Sequence, residues 1–424
     1  MISHKNLFLT AVLVISQVAC IWGKRLPVVA PEKVGLSSTL LQRADSAIMQ
    51  AISQGEIPGA VLAVVRHDKI GYLKAYGNKQ VWPEKVPMQT GTVFDMASCS
   101  KSMSTAISIL ILCQEGKIRL LDPVSLYIPG FQNWTDNDGE TTTIRIQHLL
   151  THTSGLPAYA SVSDLEKLYQ VPNPDGLIEH ICKMKRQFEP ETDFRYSCLN
   201  FITLQRIVEK VSGQSLRDFA RSHIFGPLGM DYTDYLPCAP DANGVWRNTD
   251  EPCWARLMPE GKDWRSIVAP TTRQPDGSVL CGMVHDPLAR IMNGGISGNA
   301  GVFTNAEDVA ILCAALQNDG EWDGKRILCP QAARLLRTVP RFAEPFGRTY
   351  GWDNYSAYAS CNGDLFSSQT YSHTGFTGTE IVIDPVTDCS VIMLINSVHP
   401  EEGHGVVRLR SIVSNAVAGS IVGE

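Results

Sequence analysis

The sequence has no block of basic residues, no internal repeat and no low-complexity tract. Its 37 lysines and arginines are outnumbered by 43 aspartates and glutamates, which gives a formal net charge of -6. Because nucleic acids and anionic membrane surfaces select basic patches, neither is a predicted partner. The 424 residues are 44% hydrophobic, enough to build the core of one large domain or two.

Metal-binding patterns are also missing, since the chain has no Cys-x-x-Cys pair and no cysteine and histidine spacing typical of zinc sites. No metal or organic cofactor is predicted. The 12 cysteines are scattered, and many lie in apolar runs where a reduced, buried thiol is expected. Cys238 and Cys253, in one loop-rich segment, are the first pair that we expect to form a disulfide.

The apolar run from Leu7 to Val18 follows His4 and Lys5 and is too short to span a bilayer comfortably. Its position is typical of a secretory signal, so residues 1–23 are predicted to be a signal peptide and the protein to be exported to the periplasm. Gln17-Val18-Ala19-Cys20 is an imperfect lipoprotein box, with glutamine where leucine is usual. A lipid anchor at Cys20 therefore stays open.

The two ends of the chain carry mirrored patterns. Apolar residues recur at helical spacing from Ser37 to Ser53, and again from about Leu409. Strands are predicted in four short stretches, at residues 60–65, 72–76, 380–383 and 389–395. We expect an α/β (α+β) fold, with an antiparallel sheet built from both chain termini and flanked by the terminal helices. Residues from about 98 to 340 then form a large, mostly helical insertion, in which the segment 231–282 is expected to shape a pocket.

Ser98 and Lys101 are predicted to lie one turn apart, where a loop enters the apolar stretch 107–113. Residues three apart on a helix have β-carbons roughly 5–6 Å apart, so the lysine amine can reach the serine oxygen. Burial and the positive end of the helix dipole are expected to lower the lysine pKa, which would let the amine accept the serine proton. The alternative interpretation is a solvated helix start, because both residues are common.

Two later segments resemble motifs of the serine β-lactamase and penicillin-binding-protein superfamily. Tyr196-Ser197-Cys198 is similar to its Tyr-Ser-Asn element, and His373-Thr374-Gly375 to its His/Lys-Thr-Gly strand. Further phrases that resemble the same family lie at residues 149–157, 224–230 and 294–303. Their order and spacing are similar to the class C branch, which includes class C β-lactamases, D-alanyl-D-alanine carboxypeptidases and related esterases. The resemblance implies a β-lactamase/transpeptidase-like catalytic domain over residues 33–422.

The resemblance also implies roles for individual residues. Ser98 would be the acylated nucleophile, with Lys101 and Tyr196 as the proton-transfer pair. A tyrosine can act as a base only if nearby cations stabilise its phenolate or if it relays a proton, and Lys101 and His373 are the candidate groups. The backbone N–H groups of Ser98 and Phe376 would form the oxyanion hole. The strand residues Thr374 and Gly375 would then lie against the substrate.

Two departures from the family pattern affect the predicted substrate. Cys198 stands where most relatives carry asparagine, and a thiol hydrogen-bonds weakly, so contact with a substrate amide is in doubt. His373 replaces the lysine typical of β-lactamases, which weakens recognition of a substrate carboxylate at alkaline pH.

These observations predict an exported serine hydrolase that forms an acyl-enzyme on Ser98 and cleaves an ester or small amide. An acyltransferase that passes the acyl group to an acceptor alcohol is one alternative, because water and alcohols compete for the same intermediate. A β-lactamase or D-alanyl-D-alanine carboxypeptidase is another, and a non-catalytic penicillin-binding sensor is a third. The predicted partner is a small-molecule acyl substrate, and the oligomeric state stays open.

Overall fold

The computed structural model describes residues 25–402 and 406–423, so the predicted signal peptide and Cys20 lie outside the described residues. Its strands are β1 (Gly59–Arg66), β2 (Lys69–Gln80), β3 (Val86–Pro87), β4 (Phe94–Asp95), β5 (Trp134–Thr135), β6 (Thr141–Thr142), β7 (Asp234–Tyr235), β8 (Cys238–Pro240), β9 (Trp246–Asn248), β10 (Val302–Thr304), β11 (Glu321–Trp322), β12 (Lys325–Arg326), β13 (Tyr371–Thr374), β14 (Glu380–Asp384) and β15 (Cys389–Ile395). Its α-helices are α1 (Ser38–Ser53), α2 (Ile107–Gln114), α3 (Ile146–Leu150), α4 (Val162–Leu168), α5 (Pro174–Lys183), α6 (Cys198–Ser212), α7 (Leu216–Ala220), α8 (Gly226–Leu228), α9 (Ala306–Gln317), α10 (Pro330–Leu335) and α11 (Val407–Ala418).

The main sheet joins the two ends of the chain, as the sequence predicted. Its strand order is β13-β14-β15-β1-β2-β3, and the paired strands run antiparallel. In the register of the central strands, Ala60 of β1 faces Ile395 of β15 on one side and Tyr76 of β2 on the other. The tight β1–β2 connection falls at His67 and Asp68, both with positive φ, where the sequence pattern placed it. The first and last segments therefore meet in the middle of one sheet.

Successive side chains of β1 point to opposite faces of the sheet, and each face packs against its own layer of the core. Leu62 and Val64 point to the face that α1 and α11 cover, where they meet apolar side chains such as Ile48 of α1. Val61 and Ala63 point to the opposite face, towards α9 and the helical region. Because side chains on a strand alternate between its two faces, a strand that is buried on both sides is continuously apolar, as β1 is from Ala60 to Val65.

The region between about residues 98 and 340 consists mainly of helices and loops, as predicted, but it also takes part in a second, small sheet. In this sheet β10 pairs antiparallel with both β4 and β7. The sequence pattern missed these strands because they are only two or three residues long. They matter for function because β4 leads directly into Ser98. Within the described ranges no helix combines the length and the apolar character needed to cross a membrane.

The expected disulfide between Cys238 and Cys253 is wrong, since all eleven cysteines in the described ranges are free thiols. The Cys238 Sγ lies 3.8 Å from the carbonyl oxygen of Arg290, and the Cys253 Sγ lies 3.2 Å from that of Asp231. Each thiol thus faces a different backbone carbonyl. Burial raises the pKa of both thiols to about 12, so they behave as buried small side chains.

Candidate active site

The backbone turn before Ser98 places this side chain at the edge of a buried helix. Ala97 has φ 44°, in the left-handed region that a residue with a side chain seldom adopts, and its N–H donates to the Asp95 carboxylate at 2.8 Å. The turn leaves Ser98 half-buried, whereas the next residues are fully buried. A strained turn that is held by a buried carboxylate therefore presents the predicted nucleophile to solvent.

Lys101 lies one turn after Ser98, as expected. Its backbone N–H donates to the Ser98 carbonyl at 3.0 Å, and its Nζ donates to the Ser98 Oγ at 2.9 Å. The same Nζ donates to the backbone carbonyl of Asn299 at 2.9 Å, and the side chain is fully buried. Two short hydrogen bonds and complete burial fix the amine against the serine hydroxyl.

The expected lowering of the Lys101 pKa is wrong. Burial disfavours the ammonium, but attraction to the ionised forms of Cys198 and Tyr196 outweighs burial and raises the pKa of Lys101 overall. Lys101 is therefore an ammonium at neutral pH, and a proton must leave this cluster before any of its members can act as a base.

The Lys101 Nζ lies over the Tyr196 ring, 5.0 Å from the ring centroid. The rings of His152 and Tyr358 lie against it, with centroid distances of 4.5 Å and 5.0 Å. Burial raises the pKa of Tyr196, and the ammonium of Lys101 only partly offsets this effect. The buried Tyr196 hydroxyl makes no hydrogen bond of good geometry in the described part of the chain, although interactions with the Ser98 and Lys101 side chains lower its pKa. A buried hydroxyl without a well-formed hydrogen bond is unfavourable, so this group can accept a further contact from a ligand.

His373, on β13, faces Tyr196 across the site, with ring centroids 6.0 Å apart. Its Nδ1 lies 2.9 Å from the Thr374 carbonyl oxygen, which can only accept, so we assign the proton of the neutral ring to Nδ1. Burial lowers the pKa of His373 to about 3; Asp353 counteracts this, whereas Arg348 and Lys101 reinforce it. The ring is neutral, so the expectation that His373 supplies a cation for a Tyr196 phenolate is wrong.

The turn after β13 brings the second predicted oxyanion N–H, that of Phe376, beside the Ser98 turn. The Thr377 hydroxyl donates to the Asp95 carbonyl at 2.8 Å, and the Thr379 hydroxyl donates to the Met96 carbonyl at 3.2 Å. Gly375 is needed for this approach, since a β-carbon there would lie 2.6 Å from the Met96 carbonyl oxygen. In the described structure, neither the Ser98 nor the Phe376 backbone N–H has a hydrogen-bond acceptor. Two free donors beside the serine can stabilise an oxyanion.

A cavity of about 420 Å³ opens beside Ser98. Six of the predicted site residues line it: Ser98, Tyr196, His373, Thr374, Gly375 and Phe376. Lys101 and Cys198 lie behind this lining, close to each other. Burial raises the pKa of the Cys198 thiol, although Lys101 and the Asn299 amide favour the thiolate. The thiol is thus a neutral, weak hydrogen-bonding group next to Lys101.

Five residues at the site were missed by the sequence interpretation. Arg348 and Asp353 form a fully buried ion pair, with the guanidinium 5.8 Å from the Tyr196 ring centroid. Tyr358 and Arg410 line the cavity, and Asn299 holds Lys101. Only Asn299 lay within a phrase that already resembled the family. The other four stand alone in the sequence, and no spacing marks them.

A metal site has no support in the described ranges, where no three His, Cys, Asp or Glu side chains are grouped closely enough to hold an ion. The hydrogen-bonded pair of Ser98 and Lys101 and the two free N–H groups together provide the elements of covalent acyl transfer.

Comparisons with known proteins identify the family of the chain. The family model described as Beta-lactamase matches residues 42–412. An Escherichia coli (strain K12) protein named "Putative D-alanyl-D-alanine carboxypeptidase" is 31% identical, and the alignment covers 87% of this chain and 85% of the relative. An N-acetylmuramyl-L-alanine amidase of Bacillus subtilis (strain 168) is 29% identical, over 89% of this chain and 87% of the relative.

Solved structures show the same fold. One, titled "EstCE1, a hydrolase with promiscuous acyltransferase activity", has a TM-score of 0.67 and 24% identity, and the match covers 90% of this chain and 99% of that one. Another, titled "A class C beta-lactamase", has a TM-score of 0.66 and 18% identity, over 91% of this chain and 98% of that one. The chain belongs to the β-lactamase family and is a serine hydrolase of the β-lactamase-related type.

Proposed function

We propose that the protein is an exported serine hydrolase that forms an acyl-enzyme on Ser98 and cleaves an ester or a small amide. The observation that carries this proposal is the 2.9 Å contact between the Lys101 Nζ and the Ser98 Oγ, made by a fully buried lysine. A serine hydroxyl is a weak nucleophile unless a neighbouring group takes its proton. The contact holds the Ser98 hydroxyl and the Lys101 ammonium together beside Tyr196, the group that takes the proton in the reaction below.

In the proposed reaction, the Lys101, Tyr196 and Cys198 cluster first loses one proton to solvent. The raised pKa of Lys101 favours keeping the ammonium, so the Tyr196 phenolate is the working base. The Ser98 Oγ then bonds to the acyl carbon while its proton passes to Tyr196. The oxyanion accepts from the Ser98 and Phe376 N–H groups, and Tyr196 returns the proton to the leaving oxygen or nitrogen as its bond to the acyl carbon breaks.

Water or an alcohol completes the cycle by attacking the acyl-enzyme, with Tyr196 again taking and returning a proton. Transfer to an acceptor alcohol is therefore an alternative outcome of the same intermediate. A new ester that accumulates when simple alcohols are added during turnover would assign the protein as an acyltransferase. Free acid alone, at every alcohol concentration, would assign it as a hydrolase.

Cleavage of a peptide-like amide is the second candidate, and the names of the relatives favour it, since they include a carboxypeptidase and an amidase. Two residues weigh against it. Cys198 offers a thiol where a side-chain amide would contact the substrate amide, and His373 is neutral where a cation would attract a terminal carboxylate. We therefore expect slow or no release of D-alanine from acyl-D-Ala-D-Ala and slow nitrocefin turnover.

The test of the proposal is initial-rate kinetics with p-nitrophenyl esters of several chain lengths, for the wild type and for Ser98→Ala. Ester turnover should fall by at least about 10³-fold in the variant, the scale expected when a covalent nucleophile is lost. Equal turnover in both proteins would overturn the proposal. A wild type that is acylated by penicillin but turns over no ester would instead be a penicillin-binding sensor.

Export to the periplasm belongs to the same proposal and is supported by the residues that precede the described part of the chain. The mass of the protein purified from a periplasmic fraction should match loss of a signal of about 23 residues, as the signal length suggests. An added lipid on Cys20 in a membrane fraction would assign the anchored form. An unprocessed chain in the cytoplasm would contradict export.

A further inference from the structure

The cavity beside Ser98 has two chemically different ends. Its polar end contains Ser98, Tyr196 and His373. Its other end carries the apolar side chains of Phe376, Val398, Val406 and Val407, beside the charged side chains of Glu402 and Arg410. Phe376 and Val407 are 66% and 55% exposed, so both leave apolar surface uncovered beside the cavity. Exposed apolar side chains that line a concave site gain free energy when a ligand covers them.

The position of Tyr196 decides which half of the substrate this cavity holds. In acyl transfer the leaving group must receive a proton as its bond to the acyl carbon breaks, so the proton donor faces the leaving group. Tyr196 lines the cavity, whereas Lys101 and Cys198 do not. The cavity therefore includes the leaving-group side of Ser98, and an acceptor alcohol would enter it from the same side.

Two buried polar atoms set the hydrogen-bonding needs of a ligand at the polar end. The Tyr196 hydroxyl and the His373 Nε2 make no hydrogen bond of good geometry in the part of the chain that the structure describes. Since the His373 Nδ1 carries the proton that bonds to the Thr374 carbonyl, Nε2 is an acceptor. An acceptor matches a hydroxyl or an N–H group and repels a carboxylate.

The charged side chains of the cavity are held by partners within the protein. Asp353 is paired with Arg348, and the Glu402 carboxylate lies 3.0 Å from the His285 Nε2. Arg410 is 7% exposed, and its Nη2 donates to two carbonyl oxygens of the turn after β13, at 2.8 Å and 3.0 Å. Its guanidinium thus braces the turn that carries the Phe376 N–H.

We propose that this cavity is the site for the alcohol half of the ester, and that the alcohol is an uncharged molecule with an apolar body. The hydroxyl oxygen lies at Tyr196 and His373, and the apolar body lies against Val407 and its neighbours. This inference rests on the proposed function and narrows its substrate class to neutral esters, with carboxylate-bearing leaving groups disfavoured.

The test compares 3-methylphenyl acetate with 3-carboxyphenyl acetate, whose acyl groups are identical and whose leaving phenols are similar in size and basicity. The wild type should prefer the methyl compound by at least about tenfold in kcat/KM, which corresponds to about 1.4 kcal/mol. Val407→Lys should reduce this preference several-fold by placing an ammonium at the apolar end. The matched control is Val386→Lys, at a turn between β14 and β15 where the valine is 58% exposed, and it should leave the preference unchanged.

The possible results distinguish failure of this inference from failure of the proposed function. Equal rates for the two esters, or a preference for the carboxylate, would overturn the inference while leaving ester hydrolysis in place, and the second result would assign Arg410 as a carboxylate ligand. A wild-type preference that Val407→Lys does not change would also overturn it, because the apolar end would not hold the phenol. No turnover of either ester, together with none of p-nitrophenyl acetate, would overturn the proposed function itself.

Discussion

Among single residues, the proposed reaction depends on how protons are distributed over the side chains of Lys101, Tyr196 and Cys198. All three pKa values are raised, and Lys101 is the only one of the three that is charged when protonated. At neutral pH the cluster is therefore an ammonium between a phenol and a thiol. Losing one proton creates a phenolate beside the ammonium, and the charge pair remains buried next to the Ser98 hydroxyl.

The first prediction is that kcat/KM for a neutral ester rises with pH on the alkaline side of neutrality. The base must be deprotonated to work, and because burial raises the pKa of Tyr196, the active form becomes populated at higher pH. His373, with a pKa of about 3, should add no inflection near its usual value. A pH profile of the wild type and of His373→Gln tests this. An inflection between about pH 6 and pH 7 that disappears in the variant would contradict the neutral assignment.

The second prediction concerns Cys198. Replacing it with asparagine restores a side-chain amide next to Lys101, so the rate of acylation by a penicillin should increase by about tenfold or more, the scale of one hydrogen bond to a charged group. Cys198→Ala is the matched control, because it removes the thiol without adding an amide. Stopped-flow or mass-spectrometric acylation rates measure the effect. Equal rates in the asparagine and alanine variants would show that the thiol does not set this specificity.

Site residues that lie in a recognisable sequence motif could be predicted, whereas the effects of residues outside such motifs could not. Ser98, Tyr196 and His373 could be found because each lies in a short motif that resembles the family. The pKa of Lys101 could not be predicted, because the acidic groups that raise it are 95 residues or more away in the chain and approach only in the fold. The same holds for the Arg348 guanidinium, which reinforces the low pKa of His373 from a distant loop.

At the scale of elements, the loop from Gly294 to Gly301 acts as the support for Lys101. The Thr105 hydroxyl donates to the Gly298 carbonyl at 2.8 Å, and the Gly298 N–H donates to the Gln205 side chain at 2.8 Å. These bonds fix the next residue, Asn299, whose carbonyl accepts from the Lys101 Nζ. The position of the loop therefore determines the position of the Lys101 amine.

The third prediction is that Gly298→Ala impairs catalysis more than its distance from Ser98 suggests. A β-carbon at Gly298 would lie 2.0 Å from the Phe201 carbonyl oxygen, so the loop must shift and the bond between Asn299 and Lys101 must lengthen. We expect kcat/KM for an ester to fall by about tenfold or more and stability to fall by about 2 kcal/mol. Gly91→Ala is the control, since a β-carbon there meets nothing within 4 Å.

Initial rates and urea unfolding of both variants provide the measurement. The account of the loop would be wrong if Gly298→Ala folded with reduced stability and kept the wild-type kcat/KM. In that case the position of Asn299 would not control the amine.

Elements with a clear periodicity were predicted well, and irregular ones were not. The helix α1 begins within one residue of its predicted start, because apolar side chains recur at helical spacing on its buried face. The segment 231–282 was expected to shape the pocket, but the cavity beside Ser98 takes its lining from other segments. Trp254 and Trp264 are instead buried against each other, with ring centroids 6.1 Å apart, in a small core of their own. Composition indicated a loop-rich segment, but it could not indicate which side of the molecule the tryptophans would face.

At the scale of the whole molecule, the site lies where the terminal sheet meets the helical region. Ser98 and Lys101 belong to the helical region, whereas His373 and Phe376 lie on or next to β13 at the edge of the sheet. The hydroxyls of Thr377 and Thr379 join the two parts by donating to the backbone just before Ser98. Neither part contains all of the groups that the proposed acylation needs, so the reaction requires the complete fold.

Whether Ser98 carries the acyl group can be measured by intact-protein mass spectrometry. The wild type and Ser98→Ala are mixed separately with a p-nitrophenyl ester and quenched in acid within the first turnovers. The account predicts a mass increase of one acyl group on the wild type, located by digestion to the peptide that contains Ser98, and no such adduct on Ser98→Ala. Ser100→Ala, which alters a neighbouring buried serine, should still be acylated at Ser98. An adduct of equal yield on Ser98→Ala, or one located on another residue of the wild type, would contradict the account.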